Sequence, residues 1–251
     1  MLIKITESCH GACSHCMNNA VPCDRHMTIK RFTEVIEFCL RYDVAMLGDT
    51  ITGGEPSENP CFDEFIHTYY QMRPLSTPLC ITTNGHWIVE RPDEAHDMLE
   101  RYPYLTYQVT YDSKYYPNKL DITKRALRHN RIVIITDVGK IYPQGRAVTN
   151  NLKRDANCPK CFNVMLMMMQ SNGTLSGMLY ALRLKAQKFC IPAIHYDGGI
   201  GLGESDLCPM FCSIYDSEQD IIDTILHHNC NGCYEALESF KKNGVNHLLR
   251  C

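Results

Sequence analysis

The sequence predicts an α/β fold: a parallel sheet built from successive strand–helix units, followed by a smaller cysteine-rich unit. Three observations predict it. Between residue 2 and about residue 137, short apolar runs alternate with longer amphipathic segments. The runs end in polar or glycine-rich clusters. Past residue 147 the texture changes to hairpin signals and cysteines, with eight of the 15 cysteines lying after residue 157.

Residues 2–6 read as the first strand. Residues 28–42 read as a helix, with Thr28 as N-cap and Phe32, Val35, Ile36 and Cys39 on one face. The next strand, 44–52, ends in Gly53-Gly54-Glu55-Pro56, and residues 62–72 are helical. Residues 79–83 form a strand ending at Asn84-Gly85. Helix 93–101, strand 105–112, helix 121–130 and strand 131–138 complete the run. Such alternation implies right-handed βαβ units, whose site lies in the loops at the carboxyl ends of the strands.

Beyond Gly145-Arg146-Ala147, residues 149–157 are polar and loop-like. Residues 163–170 and 174–177 flank Ser171-Asn172-Gly173, a hairpin signal, and 191–196 and 200–202 flank a second at Asp197-Gly198-Gly199. A helix over 217–228 delivers Cys230. The expected division is therefore 1–150 and 151–251. Met165, Met167, Met168 and Met169 read as core filling, and His195 and Asp197 as turn or surface residues.

Composition narrows the function. A net charge of −3 and a pI near 6.4 carry no electrostatic footprint for nucleic acid or an anionic membrane. The longest apolar run, 164–169, is too short to span a bilayer. Lys4, Glu7 and Cys9 leave no room for a signal-peptide core, so the expected compartment is the cytoplasm. In a reducing compartment an odd number of cysteines points to metal ligation rather than disulfides. Cys23, Cys39, Cys61 and Cys80 read as small hydrophobes.

Cys9, Cys13 and Cys16 form CxxxCxxC directly after the first strand. Three cysteines in one loop suit three irons of a four-iron cluster with the fourth iron open. A mixed site for zinc, drawing on His10, His15 or Cys23, is also compatible with the spacing. The remaining clusters make the pattern specific. Gly53-Gly54-Glu55-Pro56, Thr82-Thr83-Asn84-Gly85, Val109-Thr110-Tyr111-Asp112-Ser113 and Gly145-Arg146-Ala147 follow in order at successive strand ends. Over residues 2–147 the chain resembles the radical S-adenosylmethionine (radical SAM) superfamily, whose core is a partial (β/α)6 barrel.

The resemblance implies that Cys9, Cys13 and Cys16 hold a 4Fe-4S cluster. It places Gly53, Gly54, Glu55 and Pro56 at the methionine amino group of SAM, Thr110 near the ribose, Asn84 in the same rim, and His15 over the adenine. Glycines permit close backbone approach, and a carboxylate accepts an ammonium proton. The family's reduced cluster cleaves SAM to a 5′-deoxyadenosyl radical that abstracts a substrate hydrogen atom. Asp112 and Asp137 are candidate bases, with Arg146 as an orienter or a clamp for the cofactor carboxylate.

Cys190, Cys208, Cys230 and Cys233 form C-x17-C followed by CxxC. This resembles the Twitch domain, the shorter relative of SPASM, and implies an auxiliary 4Fe-4S cluster; a structural zinc site is the plainer alternative. Length and spacing resemble a Twitch-type aminocyclitol dehydrogenase. Cys158, Cys161, Cys212 and Cys251 suffice for a third 4Fe-4S cluster. The expected function is therefore radical SAM oxidation of a small molecule with the auxiliary cluster as electron acceptor. A flavodoxin or ferredoxin is the expected electron donor. The alternative is a peptide maturase of SPASM type. A non-enzyme reading, an iron–sulfur electron carrier or zinc-structured interaction protein, predicts no SAM cleavage.

Overall fold

The computed structural model describes residues 1–42, 48–137, 141, 145–152, 173–184, 192–202 and 210–227. Its centre is an eight-stranded sheet: β1 (Leu2–Lys4), β2 (Asp49–Thr52), β3 (Leu79–Thr83), β4 (Leu105–Thr110), β5 (Ile132–Ile135), β6 (Pro192–Ile194), β7 (Gly199–Leu202) and β8 (Met210–Ser213). The order is β5-β4-β3-β2-β1-β6-β7-β8. Strands β1 to β5 pair in parallel, β6 joins β1 in parallel, and β7 and β8 are antiparallel additions.

Side chains alternate across a strand, so each strand has two distinct faces. On one face Ile3, Ile51, Leu79, Ile81, Tyr107 and Val109 are buried in the hydrophobic core. On the other, Leu2, Thr50, Thr52, Cys80, Thr82, Gln108 and Thr110 line a cavity. Parallel strands covered by helices are apolar on their helix-facing side, which explains the runs seen in sequence.

The first covering helix, α1 (Ile29–Arg41), starts where the Thr28 hydroxyl accepts the Arg31 amide at 3.2 Å. It buries Phe32, Val35, Ile36, Phe38 and Cys39. Phe32 meets Phe65 of α2 (Phe62–Met72) edge-on, ring centroids 4.7 Å apart. Burying each such ring stabilises the fold by roughly 1.5–3 kcal/mol. Two further helices, α3 (His86–Glu90) and α4 (Pro92–Arg101), follow β3. Beneath α2 lies a buried polar knot: Arg73 Nη2 and the Tyr69 hydroxyl both donate to Asp49 Oδ2 at 3.1 Å, and the Met1 amino group bonds Oδ1.

Several predicted elements change. The expected helix over 121–130 is a chain of turns with one 3-10 turn at Arg125–Leu127. Asp121 Oδ1 takes the amide and hydroxyl of Thr123, a local bond that competes with helix formation. Residues 174–177, expected as a hairpin arm, instead open helix α6 (Leu175–Leu184), which buries Leu175, Met178 and Leu179. Before it, α5 (Arg146–Thr149) is a single turn that takes in Arg146 and Ala147 and ends at Thr149, where the expected loop begins. The segment 163–170, with its methionines, lies outside the described residues. The expected helix over 217–228 is α7 (Glu218–His227), with the Ser217 hydroxyl accepting the Asp220 amide at 3.2 Å.

The hairpin of β6 and β7 continues the sheet through β1 rather than standing apart from it. Asp197 is a turn residue as expected, its Oδ1 accepting the Gly199 amide at 2.9 Å. His195 departs from its expected surface position: it is 3% exposed. Its register places it beside Lys4, and burial, with the Lys4 charge second, holds its imidazole down at about 4. Among the described residues no helix is long and apolar enough to cross a membrane.

Candidate active site

The carboxyl ends of β1 to β4 open into a cavity of about 540 Å3. Each parallel strand delivers one loop to it, as the topology requires. From β1 comes the cysteine loop. Cys9 and Cys13 are each 8% exposed, and burial pushes their thiols up, to about 12 and about 11. A Cβ on Gly11 would lie 3.1 Å from Cys9 Sγ and 3.4 Å from Cys13 Sγ, so glycine lets the loop close between the two sulfurs. Cys16 lines the same cavity.

From β2 comes the glycine edge. Gly54 donates its amide to the Thr6 carbonyl at 2.9 Å, and Glu55 donates to the Ser8 carbonyl at 2.8 Å. A Cβ on Gly53 or Gly54 would overlap those carbonyls, so the close approach requires glycine at both. Pro56 is buried and opens a 3-10 turn at Pro56–Glu58.

Glu55 is 3% exposed, and burial raises its carboxyl above the usual range, opposed by its hydrogen-bond donors. Oε1 accepts the hydroxyls of Thr83 at 2.7 Å and Ser57 at 2.9 Å, and Oε2 accepts the Asn84 amide at 2.7 Å. The Ser57 amide also donates to Oε1, at 3.3 Å, so the donors crowd Oε1, and Oε2, holding the Asn84 amide alone, keeps a position for one further donor.

Two segments from farther along the chain close the rim. The turn after β4 brings Tyr115 and Tyr116 against His15, with ring centroids 5.1 and 5.4 Å apart. Arg146 reaches the cysteine loop through Nε to the Cys13 carbonyl at 2.9 Å and Nη1 to the Ala20 carbonyl at 2.7 Å.

No protein-family model and no curated protein matches the sequence. Solved structures are similar over nearly the whole chain. BtrN in complex with AdoMet and 2-DOIA gives a TM-score of 0.56 at 12% identity, over 96% of this chain and 86% of that one. SuiB of Streptococcus suis bound to the precursor peptide SuiA gives 0.55 at 14% identity, over 95% and 66%. The structure of anSMEcpe with bound AdoMet and Cp18Cys peptide gives 0.51 at 12% identity, over 94% and 81%. All three are radical SAM enzymes. The chain has the radical SAM fold.

Within the radical SAM fold the residues present suit a four-iron cluster. Three free thiols line one cavity, beside two buried polar atoms without a partner, His15 Nδ1 and Arg146 Nη2. Among the described residues no three His, Cys, Asp or Glu side chains converge on a single ion. A four-iron cluster offers each of the three thiolates its own iron.

Of the residues singled out in sequence, Cys9, Cys13, Cys16, His15, Gly53, Gly54, Glu55, Asn84, Thr110 and Arg146 all border the cavity. Asp112 does not. It is buried beneath the following turn, with Oδ1 accepting the Lys114 amide at 2.9 Å. Asp137 is exposed beyond β5 and is not among the cavity's lining residues. Cys190, Cys208, Cys230 and Cys233 lie outside the described residues, as do Cys158, Cys161 and Cys251. Cys212 packs half-buried against the core. Cys80, expected in the core, faces the cavity instead.

Sequence reasoning quoted Thr83 within its motif but gave it no role of its own, and it missed Tyr116 and Glu58. Glu58 accepts the Ser8 hydroxyl and the His10 amide, both at 2.6 Å, and so anchors the start of the cysteine loop. Its only signal was an acid three residues beyond Glu55, at the end of the turn that Pro56 opens.

Proposed function

We propose that this protein is a radical SAM enzyme that oxidises a small-molecule substrate, and that Cys9, Cys13 and Cys16 hold its SAM-binding cluster. The observation that carries the reading is the opening of these three thiols and the buried Glu55 carboxylate into one cavity at the strand ends. When bound, a reduced cluster and SAM supply a radical that abstracts a hydrogen atom.

The chain's own residues bind and orient. Glu55, held by Thr83, Ser57 and Asn84, presents a fixed acceptor to the SAM ammonium group. Gly53 and Gly54 let the backbone approach the methionine portion. His15, with Tyr115 and Tyr116 against it, offers an aromatic surface for the adenine. Below them Thr50, Thr52, Thr82 and Gln108 line the cavity with uncharged hydrogen-bonding groups, which suits a hydroxyl-bearing substrate.

Oxidation by two electrons needs an acceptor after hydrogen abstraction, and Cys190, Cys208, Cys230 and Cys233 would hold it as an auxiliary cluster in a unit beginning near residue 151. A flavodoxin or ferredoxin would deliver the first electron. Similarity to BtrN with 2-DOIA supports the small-molecule reading. Similarity to anSMEcpe and SuiB, both solved with peptides, supports peptide modification as the second reading.

The test is anaerobic reconstitution of the wild type and a Cys9/Cys13/Cys16→Ala triple variant, with iron and sulfide counted. We expect the variant to lose about four irons and retain about four. Only the wild type should form 5′-deoxyadenosine from SAM and dithionite. Unchanged iron in the variant, or no SAM cleavage by the wild type, overturns the reading. About eight irons retained would assign the other four cysteines a cluster and shift the choice to peptide substrates.

A further inference from the structure

Arg146 stands 133 residues from Cys13 in sequence, yet two of its guanidinium nitrogens are bonded within the cysteine loop. Nε binds the Cys13 carbonyl and Nη1 the Ala20 carbonyl, so one planar group ties the middle of the loop to its end. The Arg146 amide adds a third bond, to the Cys16 carbonyl at 2.8 Å. One turn later Asn150 Nδ2 donates to the Ser14 carbonyl at 2.8 Å. Gly145, at φ +54, passes so close to the Cys16 and Met17 carbonyls that no Cβ fits. From the opposite side the Tyr115 carbonyl accepts the Ser14 amide at 2.9 Å.

A guanidinium is always protonated and cannot accept a proton, so Arg146 cannot serve as a base. Its remaining nitrogen, Nη2, is buried without a partner on a residue that lines the cavity beside the cysteines.

We propose that Arg146 is a positioning residue that braces the cysteine loop and, through its positive charge beside Cys13, raises the reduction potential of the cluster held there. The inference rests on the cluster proposed above. Net charge near an iron–sulfur cluster sets its potential, because a positive neighbour favours the added electron.

The test compares reconstituted wild type with Arg146→Gln, Arg146→Lys and Asn150→Ala. Two quantities are read: the rate of iron release to a chelator, and the midpoint potential of the EPR signal that responds to SAM. Arg146→Gln should release iron faster and have a more negative midpoint. Arg146→Lys should also release iron faster, having lost the fork, but keep a midpoint near wild type. Asn150→Ala should affect release alone. A wild-type midpoint and release rate in Arg146→Gln overturn the inference. If Arg146→Gln retains no cluster, Arg146→Lys decides: restored iron at a wild-type midpoint supports the role of the charge, and a folded variant still without iron overturns it. Failure of the wild type itself to bind iron at the three cysteines fails the cluster reading instead.

Discussion

The Thr83 hydroxyl donates to Glu55 Oε1 at 2.7 Å, so the last residue of β3 holds the carboxylate that lies just beyond β2. Both are 3% exposed. A hydrogen bond to a charged acceptor contributes about 1.5–3 kcal/mol. Thr83→Val should therefore weaken SAM binding about ten- to hundredfold, read by equilibrium dialysis on the reconstituted protein. Unchanged affinity would mean that Glu55 is positioned without Thr83.

Gly54→Ala forces a Cβ into the Ser8 carbonyl, which also accepts the Glu55 amide. Overpacking against backbone typically costs about 1–3 kcal/mol. The variant should show a lower urea midpoint and bind SAM more weakly. A wild-type midpoint with wild-type binding would show that the β1 and β2 loops can separate freely.

His195 should make stability depend on pH. Its folded value is about 4, against 6.5 for an unperturbed imidazole. Between those values the unfolded chain takes up a proton that the folded protein excludes. The contribution is complete above about pH 6.5 and is lost as the pH falls towards 4, on the order of 3 kcal/mol in total. His195→Gln should flatten this part of the curve in urea titrations at stepped pH, and an unaltered slope would exclude His195 as its source.

Arg73→Met leaves Asp49 buried without its guanidinium partner. Breaking one side of a buried pair costs about 3–5 kcal/mol. The Met1 ammonium still pairs with Asp49 Oδ1, so the double variant with Asp49→Asn should lose further stability by leaving that buried ammonium unpaired. Chemical denaturation of both variants checks this, and equal losses in the two would show that the Met1 ammonium does not depend on the Asp49 charge.

Local patterns made much of this legible. The helix over 62–72 and the strand over 79–83 appear with their expected bounds, because periodicity and turn residues in adjacent sequence specify them. The cysteine loop and the Gly53–Pro56 edge were visible for the same reason, each being a compact motif after a strand. Helix 121–130 failed because Asp121 satisfies its neighbours in a turn, a competition that apolar periodicity does not register. Residues 174–177 failed because Leu175, Met178 and Leu179 gain burial only as a helix against the core.

Composition and spacing alone thus establish the strand–helix alternation, the three-cysteine loop and the order of the motifs at strand ends. They leave open which distant groups hold those motifs in place. That Thr83 and Asn84 grip Glu55 and that Glu58 anchors the loop's start follow from the parallel pairing of β1, β2 and β3, and Arg146 reaches the loop's middle and end from the helical turn beyond β5. These bonds join residues from 28 to 133 positions apart, and their partners meet only after the sheet has formed. A hydrogen bond requires its two groups within about 3 Å, a condition that packing, not sequence proximity, satisfies here.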